Sequence, residues 1–199
     1  MDSYLLNEIK HISNSMFKKN YFGVFHGSIS ARDSVNSFII NKKGTILDEI
    51  SEECFIRLSC SKQKDYRWNE ASEDAKIHEQ IYSAIPNAKY ISYTMPPFAT
   101  AFSLEHTKVV PKDYYGYQFF NEIDIYDPQN FNNWENRASH EITSFFKKSN
   151  NRFLLIKGFG LISYDRDLTE MVKKVAILEN SCKLLMLAQP WNRDIKLSL

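Results

Sequence analysis

The sequence predicts an α/β protein in which helices cover a mixed or antiparallel sheet. Two observations support this class. Apolar residues at helical spacing alternate along the chain with short apolar runs typical of strands, and turns that contain glycine join some of these runs into hairpins. The chain has 199 residues, 43% of them hydrophobic, which is enough for one domain over residues 1–199 with a full-sized core.

The chain begins with a helical pattern and continues with strand patterns. Apolar residues recur at helical spacing over about residues 3–19, which predicts an amphipathic helix. The segment SFIINKKGTIL is typical of a strand, a turn and a second strand, with Lys43 and Gly44 in the turn. The segment CFIRLSC is a further strand candidate.

The segment WNEASEDAKIHEQIYSAIPNA carries the signals of a second helix. Ser72 is a suitable N-cap, and Glu73 and Asp74 then lie in the first turn, where carboxylates are favoured by the helix dipole. The helix is expected to run to about Ile85 and to stop at Pro86, because proline cannot continue a helix.

The second half of the chain alternates strands and helices. A buried strand ends at two prolines and a short helix follows them, whereas VVPKDYYGYQFF is predicted to be an aromatic loop. A closing helix is expected after Asp167, its predicted cap. The remaining predicted elements are a strand in NEIDIYD, a helix in NFNNWENRASHEITSFFKKSN and a hairpin in RFLLIKGFGLISYD.

Charge and composition exclude several classes of function. The net charge is about +1, so no basic excess points to a nucleic-acid partner. No apolar run approaches the ~20 residues that cross a bilayer, so no membrane partner is expected. The three cysteines lack CxxC spacing and cannot all pair, which favours a reducing, cytoplasmic location.

The order of several segments resembles the class II aldolase and adducin head-domain family. The segments are FGVFHGSISAR, FIINKKG, ASEDAKIHEQIY with IPNAKYISYTMPPFATAFS, and LLIKGFGLISYDRDLTEMVKKVAILENSCKLLMLA, which together cover about residues 5–188. The resemblance implies a three-layer α/β/α sandwich with a central mixed, mainly antiparallel sheet. It also implies a homo-oligomer, most often a tetramer with sites between its subunits.

In sugar-phosphate members of that family, three loops form a phosphate pocket. Small hydroxyl residues and backbone N–H groups at a helix N-terminus can bind an anion without crowding it. The resemblance therefore implies a pocket for a small anionic metabolite. Lys43, which departs from the family pattern, either adds charge to it or is an ordinary hydrated turn lysine. The implied pocket residues are Gly27, Ser28, Ser30, Lys43, Gly44 and Ser72.

In active members of that family, three histidines hold a divalent metal, commonly zinc. Here the three positions are Tyr93, Met95 and Phe159. Ionising a tyrosine at neutral pH costs roughly 4 kcal/mol, a thioether suits Cu(I) better than zinc, and phenylalanine has no lone pair. The sequence therefore predicts no metal cofactor and a loss of metal-dependent lyase chemistry, with aromatic and thioether groups filling the site.

Several alternatives stay open at this point. Glu73 stands at the position of the family's acid/base glutamate, so an active lyase, epimerase or decarboxylase that uses it is the alternative function. Zinc or another divalent metal held by Glu73, His26 and His78 is the alternative cofactor. A third hypothesis is a purely structural or protein-interaction role, for which the aromatic surplus would supply an interface. The resemblance also implies that the loop of Tyr114 and Tyr115 can lend a tyrosine to a neighbouring subunit, although aromatic loops more often pack at interfaces.

Overall fold

The structure is a computed structural model that describes residues 3–24, 26–48, 50–61, 63–149 and 151–194. Six α-helices occur within these ranges. They are α1 (Ser3–Lys18), α2 (Ala75–Ala84), α3 (Pro97–Glu105), α4 (Tyr114–Phe119), α5 (Trp134–Lys148) and α6 (Leu168–Asp194).

Eight strands in the same ranges form one mixed sheet. They are β1 (Ser28–Ser34), β2 (Ser37–Asn41), β3 (Phe55–Ser59), β4 (Tyr90–Thr94), β5 (Lys108–Val109), β6 (Ile123–Tyr126), β7 (Phe153–Ile156) and β8 (Gly160–Asp165). The strand order is β3-β2-β1-β4-β8-β7-β6-β5. Neighbouring strands are antiparallel except β6 and β7, which are parallel, so the sheet is mixed and mainly antiparallel, as predicted.

The sheet separates two hydrophobic cores, which makes the fold a three-layer α/β/α sandwich. Helices α1, α3, α4 and α6 pack over one face, and α2 and α5 pack over the other. The two faces can be told apart along β7, where Leu155 belongs to the first core and its neighbour Leu154 to the second. This alternation follows from the two-residue period of a strand.

Most predicted elements are confirmed. The amphipathic N-terminal helix is α1, the short helix after the prolines is α3, and RFLLIKGFGLISYD forms the β7–β8 hairpin. Asp167 precedes α6 as its predicted cap, and its Oδ1 accepts a hydrogen bond from the Glu170 N–H at 2.9 Å. None of the helices in the described ranges combines the length and the apolar character that crossing a bilayer requires.

Three predicted boundaries differ from the structure. Lys43 and Gly44 do form a turn, but residues 45–48 do not continue as a strand, and β2 pairs instead with β1 and β3. Helix α2 begins at Ala75, so Ser72 lies before the helix and Asp74 occupies the N-cap position. The loop predicted in VVPKDYYGYQFF contains α4, because the Asp113 side chain accepts the Gly116 N–H at 2.9 Å and starts a helical turn.

Strand β1 was not predicted, and its composition explains why. Its burial pattern is that of a central strand, but its buried side chains include Ser28, Ser30 and Ala31, which carry little apolar signal. The strand pairs with β2 on one side and β4 on the other, with Ser28 opposite Tyr93 in register. Tertiary partners, described below, satisfy the two serines and allow polar residues in this position.

A cleft at the strand ends and its candidate site

An open cleft of about 380 Å³ lies where the Lys43–Gly44 turn, the segment before α2 and the end of β4 meet. Of the predicted anion-binding residues, Gly27, Lys43, Gly44 and Ser72 line it. His26 and Asn41 also line it, as do Tyr93 and Phe159 from the positions that hold metal ligands in the resembled family. The structure therefore brings most of the predicted site residues together around one cavity.

Ser28 and Ser30 do not line this cleft, contrary to prediction. Both are fully buried on the face of β1 that meets α2. The Ser28 hydroxyl donates to Asp74 Oδ2 at 2.9 Å and lies 3.0 Å from His78 Nε2, whereas Ser30 Oγ lies 2.6 Å from His78 Nδ1. Their hydroxyls are used inside the protein, because a buried polar group needs a hydrogen-bond partner.

Tyr93, Met95 and Phe159, which stand at the positions of the resembled family's metal ligands, converge at the end of β4. The rings of Tyr93 and Phe159 stack with their centroids 4.7 Å apart, and the Tyr93 hydroxyl donates to the Phe159 carbonyl at 2.7 Å. Met95 is partly buried against the same hydrophobic core as Tyr93 and Phe159. As expected from the sequence, aromatic and thioether groups fill this region.

These three side chains do not fit the metal that the family resemblance implies. Burial, with a smaller contribution from the charge of Asp74, raises the pKa of the Tyr93 hydroxyl well above its ordinary value, so the phenolate needed as a ligand is disfavoured. Phe159 has no donor atom, and the thioether of Met95 is a soft ligand unsuited to zinc. These three side chains therefore offer no set of ligand atoms suited to zinc.

Glu73, the predicted catalytic carboxylate, is exposed. Its side chain is 76% exposed and pairs with the Lys43 ammonium at 2.6 Å, at the rim where the cleft opens to solvent. An exposed ion pair of this kind contributes about 0–1 kcal/mol to stability and leaves the carboxylate hydrated. The structure does not bring Glu73 into the apolar surroundings that tune a carboxylate for acid/base work.

Asp74 lines the cleft and, unlike Glu73, is held by hydrogen bonds from neighbouring hydroxyl groups. The hydroxyls of Ser28 and Ser72 donate to its Oδ2 at 2.9 and 3.4 Å. Burial raises the pKa of Asp74 to about 6, although those two hydrogen bonds lower it and the charge of Glu73 adds a small further rise. A carboxyl group with a pKa near neutrality, beside a cavity, can both accept and return a proton.

Behind Asp74 lies a buried run of polar side chains that ends at Tyr82. His78 is fully buried, and its two ring nitrogens face the Ser28 and Ser30 hydroxyls. Burial lowers the pKa of His78 to about 3, so the imidazole is neutral at physiological pH. Ser30 Oγ lies 2.8 Å from the Tyr82 hydroxyl, which donates to the Lys89 carbonyl at 3.3 Å.

Sequence reasoning missed this polar run, although a signal was present. Asp74, His78 and Tyr82 are spaced i, i+4 and i+8, so they lie on one face of α2. Ser28 and Ser30 are spaced i and i+2, so they lie on one face of a strand. In the structure these two polar stripes meet, because Ser28 and Ser30 both contact His78.

The alternative metal site of Glu73, His26 and His78 does not form. His78 points into the core, Glu73 lies at the rim, and His26 lines the cleft from the other side. Among the residues that the structure describes, no group of three or more His, Cys, Asp or Glu side chains is arranged to hold a metal ion.

A second cavity of about 790 Å³ adjoins the cleft and shares Lys43, Ser72, Glu73, Asp74 and Phe159 with it. Its outer wall contains Trp68, whose ring is covered by the Lys64 ammonium at 3.8 Å from the ring centroid. The two cavities leave Asp74 accessible from both, so a ligand that enters either one comes close to this carboxyl group.

The family model described as Class II Aldolase and Adducin N-terminal domain matches residues 7–186. No curated protein matches the sequence.

Several solved structures share the fold. One is L-fuculose-1-phosphate aldolase from Thermus thermophilus, with a TM-score of 0.82, 19% identity, and coverage of 94% of this chain and 95% of that one. Another is YgbL from Escherichia coli, for which aldolase, epimerase and decarboxylase are the named candidate activities (TM-score 0.77, 16% identity, 93% and 89% covered). A third is a sugar-phosphate aldolase from Thermotoga maritima (TM-score 0.75, 14% identity, 94% and 96% covered).

Proposed function

The chain belongs to the class II aldolase and adducin N-terminal domain family, and we propose that it binds a small anionic metabolite in its cleft without that family's metal. One observation carries the metal-free part of the proposal. The Tyr93 hydroxyl is committed as a donor to the Phe159 carbonyl, and the two rings stack where metal ligands stand in the resembled enzymes. Metal-dependent aldehyde-lyase chemistry needs a bound metal ion as its electrophile, and these side chains offer no suitable ligands for one.

The anionic character of the ligand is supported by the cleft's rim. Lys42, Lys43 and His26 line the cleft, and the Ser72 hydroxyl lies at the start of α2. Two similar solved structures are sugar-phosphate aldolases by name, which makes a phosphorylated sugar or hydroxy-carbonyl compound the ligand class to test first. Glu73 opposes an anion when it is free, but its ion pair with Lys43 offsets that charge.

Replacing Lys43 with alanine is expected to weaken anion binding about 5- to 30-fold, the loss of one charge-assisted contact of about 1–2 kcal/mol. Inorganic phosphate and L-fuculose 1-phosphate serve as probes, titrated by calorimetry. Lys108→Ala is the matched control, because Lys108 is also an exposed lysine paired with a glutamate, Glu122, but lies outside the cleft. Equal affinities for the native protein and Lys43→Ala would remove Lys43 from the site.

Metal content tests the other half of the proposal. Untagged protein, loaded with zinc and then desalted, is expected to retain far less than one metal per chain by elemental mass spectrometry. The donor set explains this, because Tyr93 is held protonated and Phe159 has no lone pair. Stoichiometric, tightly held metal would contradict the proposal. Metal-dependent cleavage or epimerisation of L-fuculose 1-phosphate would do the same.

A second candidate function is a lyase, epimerase or decarboxylase that works by acid/base chemistry. Asp74 favours it, since burial raises the pKa of this cleft carboxyl to about 6. The same function was predicted to use Glu73, so the two variants Asp74→Asn and Glu73→Gln discriminate between the carboxylates. If this function is correct, only Asp74→Asn abolishes turnover of a hydroxy-carbonyl substrate; loss in Glu73→Gln alone would assign the role to Glu73.

The homo-oligomeric state, most simply a tetramer, and the cytoplasmic location also stay proposals. Helix α4 supports association, because Tyr114, Tyr115 and Tyr117 are 71%, 63% and 68% exposed there. Static light scattering at micromolar concentration tests the assembly, and a monomer would contradict it.

A further inference from the structure

We propose that the second cavity, of about 790 Å³, is a subsite for a planar aromatic ring, and that the ligand whose anionic group lies in the cleft places this ring there. The ligand class is then an aromatic anion instead of a sugar phosphate. This inference rests on the proposed binding of an anion in the cleft and adds the chemistry of the rest of the ligand. The cavities adjoin at residues that line both, so one ligand can reach from the cleft into the second cavity.

The second cavity has an apolar interior and a polar rim. Its polar residues beyond the border with the cleft, among them Lys64, Asn69 and Asn136, are exposed. Its buried and partly buried residues are mostly aliphatic or aromatic and include Ala71, Ala75, Ile77, Trp134, Ala138 and Phe159. A polyol held against these side chains would lose hydration without gaining hydrogen bonds, whereas an apolar ring is stabilised by burial.

A row of three rings in contact runs from the cleft into the second cavity. Tyr93 lines the cleft, Trp134 lines the second cavity, and Phe159 lines both. Phe159 stacks on Tyr93 with the ring centroids 4.7 Å apart and meets Trp134 edge-to-face at 5.5 Å. Trp68 adds a further ring in the outer wall. Aromatic side chains hold a planar ring in these same stacked and edge-to-face arrangements, which saturated groups do not form.

The two cavities differ in the polar groups that they offer, and this difference orients the ligand. Among the residues that line the cleft and not the second cavity, His26, Asn41 and Lys42 provide charge or hydrogen bonds. Among the buried and partly buried residues that line only the second cavity, the polar side-chain atoms are the indole nitrogens of Trp68 and Trp134. The anionic group therefore belongs in the cleft and the ring in the second cavity.

The indole N–H of Trp134 gives an independent indication of a bound group. Trp134 is 6% exposed, and no described residue accepts a hydrogen bond from its Nε1–H. Buried donors without a partner are rare in native proteins, so an acceptor from outside the chain, either water or a ligand, is indicated. A ligand in the second cavity, which the Trp134 side chain lines, can supply that acceptor.

The experiment compares four anions by calorimetry on the full chain: inorganic phosphate, phenyl phosphate, cyclohexyl phosphate and L-fuculose 1-phosphate. Phenyl phosphate is expected to bind at least about 10-fold more tightly than inorganic phosphate, because its ring is buried. It should bind about 3- to 10-fold more tightly than cyclohexyl phosphate, because only the planar ring can stack. Equal or tighter binding of cyclohexyl phosphate or L-fuculose 1-phosphate overturns the proposal.

A ¹H–¹⁵N spectrum of the indole N–H groups tests where the ring binds. The chain has three tryptophans, and the signals of Trp68 and Trp134 are assigned with the variants Trp68→Phe and Trp134→Phe. Phenyl phosphate is expected to shift both signals more than inorganic phosphate does, because a bound ring in the second cavity lies beside both side chains. Signals that stay unmoved at saturating phenyl phosphate overturn the proposal.

Phe159→Leu tests the aromatic wall. It removes the ring but keeps an apolar side chain and the backbone carbonyl that accepts the Tyr93 hydroxyl. The preference for phenyl over cyclohexyl phosphate is expected to fall at least about 2-fold. Phe145→Leu is the matched control, because Phe145 is a partly buried phenylalanine of the same core that lines neither cavity, and the preference should persist.

Trp68→Leu, in the outer wall, is the second variant for the case that Phe159→Leu does not fold, and the same fall in preference is expected. A preference that is unchanged in every folded variant overturns the proposal.

Failure of this inference can be told from failure of the proposed function. Equal affinities for phenyl phosphate and inorganic phosphate overturn the aromatic subsite and leave the anion site in place. If none of the anions binds, the proposed function fails, and benzyl alcohol, a neutral aromatic probe, is titrated while the indole signals are followed. Shifts of Trp68 and Trp134 then support the aromatic subsite, and unmoved signals overturn it.

Discussion

An Asp74→Asn variant is expected to lose about 2 to 3 kcal/mol of its free energy of unfolding between pH 6 and pH 4, relative to the native protein. The loss comes from His78. Burial lowers the pKa of His78 to about 3 in the folded protein, against an ordinary value near 6.5. Between those values the unfolded chain binds a proton that the folded protein does not, so stability falls as pH falls.

The native protein is protected from this loss by Asp74 itself. Burial raises the pKa of Asp74 to about 6, against about 3.8 in the unfolded chain, so here the folded protein binds the extra proton. A raised carboxyl pKa contributes stability below the unfolded value that is lost as pH rises through the folded value. Between about pH 4 and pH 6 the two groups cancel, because one proton lies on His78 when unfolded and on Asp74 when folded.

Urea unfolding at a series of pH values measures the effect, since the slope of free energy against denaturant is set by exposed surface and should not change. Asp124→Asn is the matched control, because it makes the same replacement at an exposed position on β6. The native protein and Asp124→Asn should give parallel curves of stability against pH. An Asp74→Asn curve parallel to both would show that folding does not raise the pKa of Asp74, and an Asp74→Asn stability that does not fall with pH would show that His78 is not held neutral by burial.

Gly160→Ala is expected to destabilise the fold by about 3 to 5 kcal/mol, with the larger part from a backbone clash. Gly160 has φ +124°, which favours glycine, and an alanine Cβ would lie 2.4 Å from the Thr94 carbonyl oxygen. It would also lie about 3 Å from Met95 and Tyr93, so the end of β4 would be displaced. Relief of the clash would require the β4–β8 pairing to open next to the cleft.

Gly44→Ala measures the cost of a positive φ in the absence of a steric clash, and so serves as the comparison for Gly160→Ala. Gly44 also has a positive φ of +73°, but among the described residues no atom beyond its own chain neighbours lies within 4 Å of the Cβ that alanine would add. Its loss is expected to be about 1–2 kcal/mol, the cost of a left-handed L-residue alone. Thermal unfolding of both variants measures the difference. Equal losses would mean that β4 and β8 move apart easily and that the strand end is not held rigidly.

Much of the fold could be predicted from local patterns. Some features depend on only a few neighbouring residues, so they are visible in the sequence. They are the helical spacing of apolar residues in α1 and α5, the capping aspartate before α6 and the glycines of the β7–β8 hairpin. The poor fit of Tyr93, Met95 and Phe159 to a zinc ion could also be inferred, because it depends on which atoms those side chains possess.

The sequence alone therefore determined the fold class, most elements, the family resemblance and the absence of zinc-ligand chemistry at three positions. Only the tertiary structure decided which carboxylate belongs to the cleft. Glu73 and Asp74 are adjacent and chemically alike, but the packing of α2 against β1 leaves one at the rim with Lys43 and encloses the other beside Ser28. Ionisation is controlled by burial and by partners distant in the sequence, so it is the contact between the two polar stripes of α2 and β1 that makes Asp74 and His78 a pair.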